Sequence, residues 1–471
     1  MIFSTTTFIL IFLPIVIFIY YVILKRTRLV KNIFLFLASI VFYAWGEPHF
    51  VVIMLLSIIV NWILGLLIER YREHKISSKI IIAMMLAFNL GILGAFKYLA
   101  FAVENINNIF NISMNIPNIE LPIGISFFTF QAISYVIDVY KKDAKAQRNL
   151  LNMGLYISFF PQLIAGPIVR YKTIAKQIED RKENFEKFSE GVKRFIKGLA
   201  KKVLLSNSLA IVADFAFETL PSDISILLAW LGIISYTLQI YFDFSGYSDM
   251  AIGLAKMFGF ELEENFNYPY ISKSITEFWR RWHISLGTWF RDYVYIPLGG
   301  NRVEKRRMIL NIFIVWFLTG LWHGANWTFI IWGIFYFVIL IIEKVTKIDK
   351  NNSKNIIINI IKHLYTIILI MIGWVIFRSD NLVQGLEYIK SMFGILGNPL
   401  YDNQTILYLR EFGFYIFCGI ICSIQFKDKL LSKIPGFILK IIKILIFILV
   451  FIISMSYIIK GTYNPFIYFN F

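Results

Sequence analysis

The chain has 471 residues, of which 58% are hydrophobic and only 16% are charged, so its apolar surface exceeds what one soluble core could bury. This composition indicates a multi-span membrane protein surrounded by membrane lipids. A formal net charge of +17 would suit nucleic acid in a soluble protein, but here the basic residues cluster between apolar runs, as in cytoplasmic loops. Nucleic-acid binding is therefore not expected.

Apolar runs of about 15 to 20 residues recur along the chain, a length that lets an α-helix cross the hydrocarbon core. They lack the alternation typical of a membrane β-barrel. The sequence predicts an all-α polytopic membrane fold with about 11 to 12 transmembrane helices, re-entrant segments and cytoplasmic amphipathic helices. No fixed-period repeat is visible, so residues 1–471 are expected to form one membrane domain.

Four apolar runs open the chain, at residues 8–24, 32–45, 49–68 and 79–100. The basic segments KRTRLVK and ERYREHKISSK follow the first and the third of these runs. Because basic loops stay in the cytoplasm, the N-terminus is predicted to be extracytoplasmic.

Two further apolar segments, residues 121–140 and 150–168, contain proline and glycine. Irregular backbone at membrane depth is tolerated where it is buried in protein or faces a water-filled cavity. We expect broken or re-entrant segments that line a cavity, and two kinked but ordinary spans are the alternative.

The middle of the chain alternates between polar and apolar stretches. Residues 170–202 are basic and amphipathic, which indicates helices on the cytoplasmic membrane surface. Spans are predicted at residues 203–219 and 224–242. Residues 242–307 are too polar to cross as one helix and are predicted to form a cytoplasmic or re-entrant element.

The last part of the chain contains further apolar runs, at residues 308–321, 327–343, 361–377, 412–424 and 437–459. Counting crossings from the basic loops puts the aromatic tail, residues 460–471, on the extracytoplasmic face.

His323 lies between two of these apolar runs, and an ionisable group at membrane depth is by default a candidate functional residue. A buried histidine is expected to be neutral, because a low dielectric penalises the charged ring. A neutral imidazole can take a proton from a hydroxyl, as the general base of an acyl transfer does. A histidine that only packs between helices is the alternative.

The residues around His323 suggest supporting roles. Gly320 and Gly324 would leave room for an acyl chain or thioester to approach. Trp322 or Asn326 would orient the imidazole or donate to a developing oxyanion.

Two motifs, WRRWHISLGTWFRD and GLWHGANWTFIIWG, carry the histidines His283 and His323. Together with LPIGISFFTFQAISYVIDVY, FFPQLIAGPIVRY, YFDFSGYSDMAIGLAKMFGF and PFIYFNF, they closely resemble the membrane-bound O-acyltransferase family. Within that family the likeness is to the bacterial branch that acetylates cell-envelope polysaccharides, and it extends along nearly the whole chain.

The resemblance implies that His323 is the catalytic histidine and that His283 is the second characteristic histidine, on the cytoplasmic side. A structural role for His283, pairing with Asp292 or stacking on Trp282, is the alternative.

The basic motif around His283 suggests a donor site. Arg280, Arg281 and Arg291, together with Trp282, would hold the phosphates of a thioester donor, for which guanidinium geometry is suited. Ordinary cytoplasmic anchoring is the alternative for these arginines.

The tail FIYFNF is too short to span a membrane and too aromatic to be a solvated end, so it is expected to tuck into the membrane interface or the protein. The resemblance implies that Tyr468 is a transient acyl acceptor, activated by His323 as a base. An aromatic membrane anchor is the alternative.

The resemblance implies an acetyltransferase of the bacterial cell membrane with acetyl-CoA as donor substrate and neither a cofactor nor a metal. Its implied partners are an extracytoplasmic SGNH-type, esterase-like acetyltransferase, a glycan synthase complex and a polysaccharide acceptor. Two alternatives stay open: D-alanyl transfer from a carrier protein to teichoic acids, and a non-catalytic polysaccharide or lipid transporter.

Overall fold

The computed structural model describes residues 1–24, 27–348, 355–425, 436–461 and 467 of the protein. Regular structure within these residues is entirely helical, without a strand. The predicted all-α fold is therefore confirmed.

The α-helices are, in chain order, α1 (Leu13–Phe18), α2 (Arg28–Ala44), α3 (Val51–Tyr71), α4 (Lys75–Leu93), α5 (Leu99–Phe110), α6 (Ile125–Tyr140), α7 (Leu150–Ser158), α8 (Phe160–Leu163), α9 (Tyr171–Glu179), α10 (Phe185–Ala200), α11 (Asn207–Glu218), α12 (Ile226–Met257), α13 (Ile275–Arg281), α14 (Ile284–Phe290), α15 (Lys305–His323), α16 (Trp327–Thr346), α17 (Ile356–Arg378), α18 (Leu382–Met392), α19 (Asn403–Cys422) and α20 (Gly436–Ile459). Wider π-helical turns occur at Thr7–Phe12, Ile19–Ile23, Gly94–Tyr98, Lys201–Ser206 and Arg291–Tyr295.

Seven helical stretches of the described chain are long and apolar enough to cross a membrane: Val51–Tyr71, Lys75–Phe110, Ile226–Met257, Trp327–Thr346, Ile356–Arg378, Asn403–Cys422 and Lys440–Ile459. Thr7–Ile23 and Ile125–Tyr140 are apolar but shorter. The count differs from the predicted 11 to 12 because some apolar runs form short or broken helices, and because α15 begins with three basic residues.

The chain divides into two compact units, one formed by residues 1–195 and 248–263 and the other by residues 196–247 and 264–471. In the first unit, α6 packs against α3 and α4, and α7 packs against α2 and α3. Almost every side chain of α6 is buried, including the polar side chains of Gln131 and Asp138. The assignment of one membrane domain stays a prediction.

The break predicted within residues 150–168 is confirmed. The chain leaves helical geometry at Phe159, between α7 and α8, and Pro161 lies in the first turn of the new helix. The Phe160 N–H, which the break releases, donates to Ser39 Oγ at 3.0 Å. This segment is buried in protein, where irregular backbone can be satisfied.

In the second unit, α15 packs against α16, which also contacts α17 and α13. The helix predicted to end at Phe242 continues to Met257, so the polar element predicted from residue 242 begins inside α12. Its polar side chains, such as Asp243 and Ser245, are buried rather than solvated, and their polarity therefore did not end the helix. The cytoplasmic or re-entrant position of residues 242–307 stays a prediction.

Candidate active site

Helix α15 ends at His323. Its C-terminal part packs closely against the neighbouring helix α16. A side chain at Gly320 would strike the carbonyl oxygen of Phe329, and one at Gly333 would strike that of Trp316. Small residues let two helix backbones approach closely in this way. The paired glycines therefore hold the His323 end of α15 against the first turns of α16.

The expected role of the glycines beside His323 is wrong. The position that a side chain would take at Gly320 is filled by α16 backbone, and at Gly324 it is filled by the Phe329 ring. These glycines serve helix packing and leave no space there for an acyl chain.

Aromatic rings surround the His323 imidazole, which is 4% exposed. The ring centroids of Trp322 and Trp332 each lie 5.0 Å from it, and that of Phe377 lies 5.2 Å away. All three rings meet the imidazole nearly edge to face, which favours a fixed ring orientation. His323 is thus held among aromatic rings, and its role as a general base stays a prediction.

Trp322 connects the two histidines. Its ring centroid lies 5.8 Å from that of His283 and 5.0 Å from that of His323. The structure therefore brings together three residues predicted for the site, although the motifs that carry the histidines are forty residues apart.

His283 occupies the turn between α13 and α14, with left-handed backbone angles of φ 45° and ψ 53°. This region is sparsely populated by non-glycine residues, and histidine is among those that tolerate it. The turn directs the ring against Phe244, whose centroid is 4.6 Å away, and its Nδ1 towards Asn265 Oδ1 at 3.1 Å. Asn265 and Phe244 thus contact His283, and the alternative of pairing with Asp292 or stacking on Trp282 stays a prediction.

The hydrogen bonds of Asn265 define the tautomer of His283. Asn265 Oδ1 also accepts from the backbone N–H of Ser285 at 3.2 Å and from its hydroxyl at 2.9 Å. Because a backbone N–H can only donate, this amide atom is the oxygen, and a neutral His283 must donate to it through Nδ1–H. The lone pair of the neutral ring is then on Nε2.

Burial lowers the pKa of His283 to about 3. A histidine in the unfolded chain titrates near 6.5, so the unfolded state binds one more proton between these values. The stability that His283 contributes is present above about pH 6.5 and is lost as the pH falls towards 3, by about 1.4 kcal/mol per pH unit. We expect the unfolding temperature in detergent to fall over this range, and His283→Gln to show a shallower fall. Equal slopes for the two proteins would contradict this linkage.

A buried carboxylate holds the helix that leads to His283. Glu343, on α16, is fully buried and accepts from the backbone N–H of Ile275 at 2.6 Å and of Thr276 at 2.8 Å. It also accepts from the Thr276 hydroxyl at 2.7 Å. These donors belong to the first turn of α13, whose N–H groups have no partner within the helix. Glu343 therefore fixes α13, and with it the turn at His283, onto α16.

Glu343→Ala is expected to destabilise the protein by about 3 kcal/mol or more, because it leaves buried donors of α13 without their acceptor. Glu343→Gln, which keeps one oxygen, should show a smaller loss. Thermal unfolding in detergent measures both, with the exposed Glu387 of α18 replaced by alanine as the matched control. A Glu343→Ala protein as stable as the control would contradict the capping role.

The predicted donor-binding residues have different environments. Arg280 is exposed, whereas Arg281 pairs with Glu277 at 2.9 Å and Arg291 pairs with Asp292 at 2.8 Å. Trp282 is buried, with the ring centroid of Trp374 at 5.0 Å. Donor binding by these four residues stays a prediction.

Asn326 acts as the cap of α16. Its Oδ1 accepts from the Thr328 N–H at 3.0 Å, and its Nδ2 donates to the Asp380 carbonyl at 3.0 Å. These two bonds hold the Asn326 side chain in place, and its supporting role in the chemistry stays a prediction. Tyr468 lies outside the described residues.

Sequence reasoning missed residues that hold the site together. Asn265 and Phe244 give no motif signal, since an asparagine and a phenylalanine are common in such segments. Glu343 could have been found, because a carboxylate within an apolar span is a candidate functional residue by the same rule that selected His323. Among the described residues, no group of three or more histidine, cysteine, aspartate or glutamate residues could hold a metal ion.

The fold and the site define a multi-pass membrane protein with two buried histidines joined by a tryptophan. The sequence model of the membrane-bound O-acyltransferase family matches residues 144–378. The chain is 45% identical to the probable alginate O-acetylase AlgI of Azotobacter vinelandii, over 83% of this chain and 78% of that protein. It is 36% identical to the peptidoglycan O-acetyltransferase of Helicobacter pylori, over 85% of this chain and 81% of that protein.

The chain belongs to the membrane-bound O-acyltransferase family. It is thus a multi-pass membrane enzyme that transfers acyl groups to oxygen, and the alternative of a non-catalytic transporter is wrong. A teichoic acid D-alanyltransferase of Bacillus subtilis is 31% identical, but over only 46% of this chain and 58% of that protein.

Proposed function

We propose that the protein takes acetyl groups from cytoplasmic acetyl-CoA and passes them across the membrane for O-acetylation of an extracellular or cell-wall polysaccharide. The observation that carries this proposal is the buried His283–Trp322–His323 arrangement in an O-acyltransferase similar to alginate O-acetylases. A base held away from water by aromatic rings suits transfer to an organic hydroxyl rather than hydrolysis.

In the proposed chemistry, His323 accepts the proton of the Tyr468 hydroxyl. A phenol has a pKa near 10 and is a weak nucleophile until a base removes its proton. The phenolate oxygen attacks the thioester carbonyl carbon, the carbon–sulfur bond breaks, and the leaving thiolate takes the proton from the imidazolium. The products are CoA and an acetyl ester on Tyr468.

His283 supports this step as a second neutral imidazole. Asn265 fixes its ring through Nδ1, and the ring packs on Trp322, which in turn packs on His323. On the cytoplasmic side, the exposed Arg280 has a free approach for a donor phosphate, and Arg281 and Arg291 would have to exchange a carboxylate for it.

The acetyl-tyrosine would then serve a second enzyme. With the tail on the extracytoplasmic face, an SGNH-type, esterase-like acetyltransferase moves the acetyl group to a hydroxyl of the polysaccharide as a glycan synthase complex delivers it. The two acetyltransferase relatives, whose names refer to alginate and peptidoglycan, support a polysaccharide acceptor. They also favour acetyl over D-alanyl transfer, since the D-alanyltransferase match covers less than half of this chain.

The test uses the full protein reconstituted in lipid vesicles, with acetyl-CoA carrying an isotopic label in the acetyl group. We expect label on Tyr468, detected by mass spectrometry of the tail peptide, and its release when the partner acetyltransferase and a polysaccharide are added. A parallel assay supplies a D-alanyl thioester on a carrier protein. Labelling from the carrier and not from acetyl-CoA would replace this proposal by teichoic acid D-alanylation.

A further inference from the structure

Of the C-terminal tail, Lys460, Gly461 and Ile467 are described, and Ile467 is fixed inside the protein. The backbone N–H of Ile467 donates to Asp243 Oδ2 at 2.8 Å. The Ile467 side chain is 8% exposed and belongs to the hydrophobic core that also contains Trp332 and Phe377, two of the rings around His323. At Ile467 the tail therefore packs into the protein, as expected for one of the two placements predicted from the sequence.

The acceptor of this hydrogen bond is half of a buried ion pair. Asp243 Oδ1 lies 2.6 Å from Lys202 Nζ, and the side chains are 1% and 2% exposed, respectively. Burying two charges in a membrane protein is costly, and a well-packed apolar pair is often at least as stable. Packing therefore does not explain why these two positions carry charged residues. A fixed carboxylate at Asp243 does offer a strong, directional acceptor for the backbone N–H of Ile467.

The ion pair lies next to the candidate active site along α12. Phe244, the residue after Asp243, packs on His283 with ring centroids 4.6 Å apart. Tyr241, two residues before Asp243, lies 6.2 Å from the ring of Trp282. The same short stretch of helix thus holds the tail and packs on the motif that carries His283.

Lys202 is placed by an irregular turn. It lies in the π-helical turn Lys201–Ser206, and this turn packs against α20, the helix that leads into the tail. Such turns are rare and frequently occur at functional sites. Both members of the ion pair therefore lie in segments that contact the C-terminal part of the chain.

We propose that the Asp243–Lys202 pair anchors the C-terminal tail at Ile467 and thereby positions the next residue, Tyr468, for acyl transfer. This inference rests on the proposed function, because it assigns the anchor to the acceptor tyrosine. The pair takes no part in bond making. It sets the register of the tail: a slip of one residue would present Ile467 or Phe469, which have no hydroxyl, in place of Tyr468.

The variants separate the hydrogen bond from general damage. Asp243→Leu combined with Lys202→Met removes both charges and the acceptor of the Ile467 N–H, and leaves no buried charge without a partner. Ile467→Pro removes the backbone N–H, and Ile467→Val keeps it. The matched control neutralises another ion pair of α12, Asp249 with Arg194 at 2.9 Å, through Asp249→Leu with Arg194→Met.

Three measurements are made on the full chain in detergent. Hydrogen exchange of the tail reports the anchor, and acetylation of Tyr468 by labelled acetyl-CoA reports positioning. Acetylation of added 4-methylphenol, a soluble phenol, reports the chemistry without the tail. We expect exchange in the tail to accelerate at least about tenfold in the Asp243–Lys202 double variant, and not in the control or in Ile467→Val.

We also expect Tyr468 acetylation to fall at least about tenfold in the double variant and in Ile467→Pro, with 4-methylphenol acetylation within about twofold of the unaltered protein. Combining the Asp243–Lys202 double variant with Ile467→Pro should lower Tyr468 acetylation no further than either change alone, since both remove the same interaction. The inference would be overturned if tail exchange in the double variant were unchanged, or if the losses of Tyr468 acetylation multiplied when the two changes are combined. It would also be overturned if 4-methylphenol acetylation fell in parallel with Tyr468 acetylation. A protected tail whose Tyr468 is never acetylated would instead overturn the tyrosine step and leave the anchor standing.

Discussion

Purified His323→Ala protein is expected to lose acetyl transfer from acetyl-CoA by about 10²-fold to 10⁴-fold, the range that a general base contributes. The physical reason is that a tyrosine hydroxyl stays protonated at neutral pH without a base. Alanine at this position removes the only imidazole that packs on Trp332 and Phe377 within the described part of the chain. The measurement is release of free CoA thiol together with labelled acetyl in the product.

The matched control is His363→Ala. His363 is another histidine of the same unit, half-buried on α17, with its Nδ1 at 3.1 Å from the Ser272 carbonyl oxygen. We expect this variant to retain acetyl transfer if it is folded. Near-normal turnover by His323→Ala, or an equal loss in both variants, would remove His323 from the mechanism.

Tyr468→Phe is expected to abolish acetylation of the polysaccharide while the amount of protein in the membrane stays normal. Phenylalanine keeps the aromatic ring that would pack or anchor the tail but lacks the hydroxyl that would carry the acetyl group. The change therefore separates the acceptor role from that of an aromatic membrane anchor. Polymer acetylation in cells and the abundance of the protein are the two measurements.

The control for the tail is Tyr457→Phe, which removes a hydroxyl at 3.0 Å from that of Tyr415 on a neighbouring helix. It should leave polymer acetylation unchanged. Added 4-methylphenol should restore acetyl-CoA turnover to Tyr468→Phe, because it supplies the missing phenol to an intact base. Polymer acetylation that persists in Tyr468→Phe would exclude the tyrosine as an obligatory carrier.

The sequence was sufficient to predict the class of fold, and it singled out two histidines that the structure brings together around Trp322, whose roles stay predictions. Long apolar runs predict membrane-spanning helices. A histidine between two such runs is conspicuous because few charged or ionisable groups occur at membrane depth. The proximity of His283 to His323 could not be derived from spacing. It depends on Trp322, on the left-handed turn at His283 and on Asn265, which lies 18 residues before it in the chain.

Local polarity was a poor guide to the ends of helices. Asp243 and Ser245 look like the start of a solvated segment, but in the structure they are buried side chains within α12. A polar residue can stay inside a membrane helix when its partner comes from a distant part of the chain, as Lys202 does for Asp243. Such partners are invisible in a single sequence, and the predicted boundary at residue 242 was wrong for that reason.

The role of the glycines near His323 was also misjudged. Glycine signals that backbone or ligand comes close, without saying which. At Gly320 the group that comes close is the backbone of α16. The packed pair of α15 and α16 carries His323 at the end of α15.

Under the proposed function, the aromatic rings around His323 have a consequence for the cell's supply of acetyl donor. Trp322, Trp332 and Phe377 leave little of the imidazole for bulk solvent, so a thioester drawn up to this base would encounter an organic alcohol far more readily than hydroxide. An idle enzyme, with no polymer being made outside, would accordingly consume almost no acetyl-CoA. Export of the acetyl group would then be governed by demand at the cell surface.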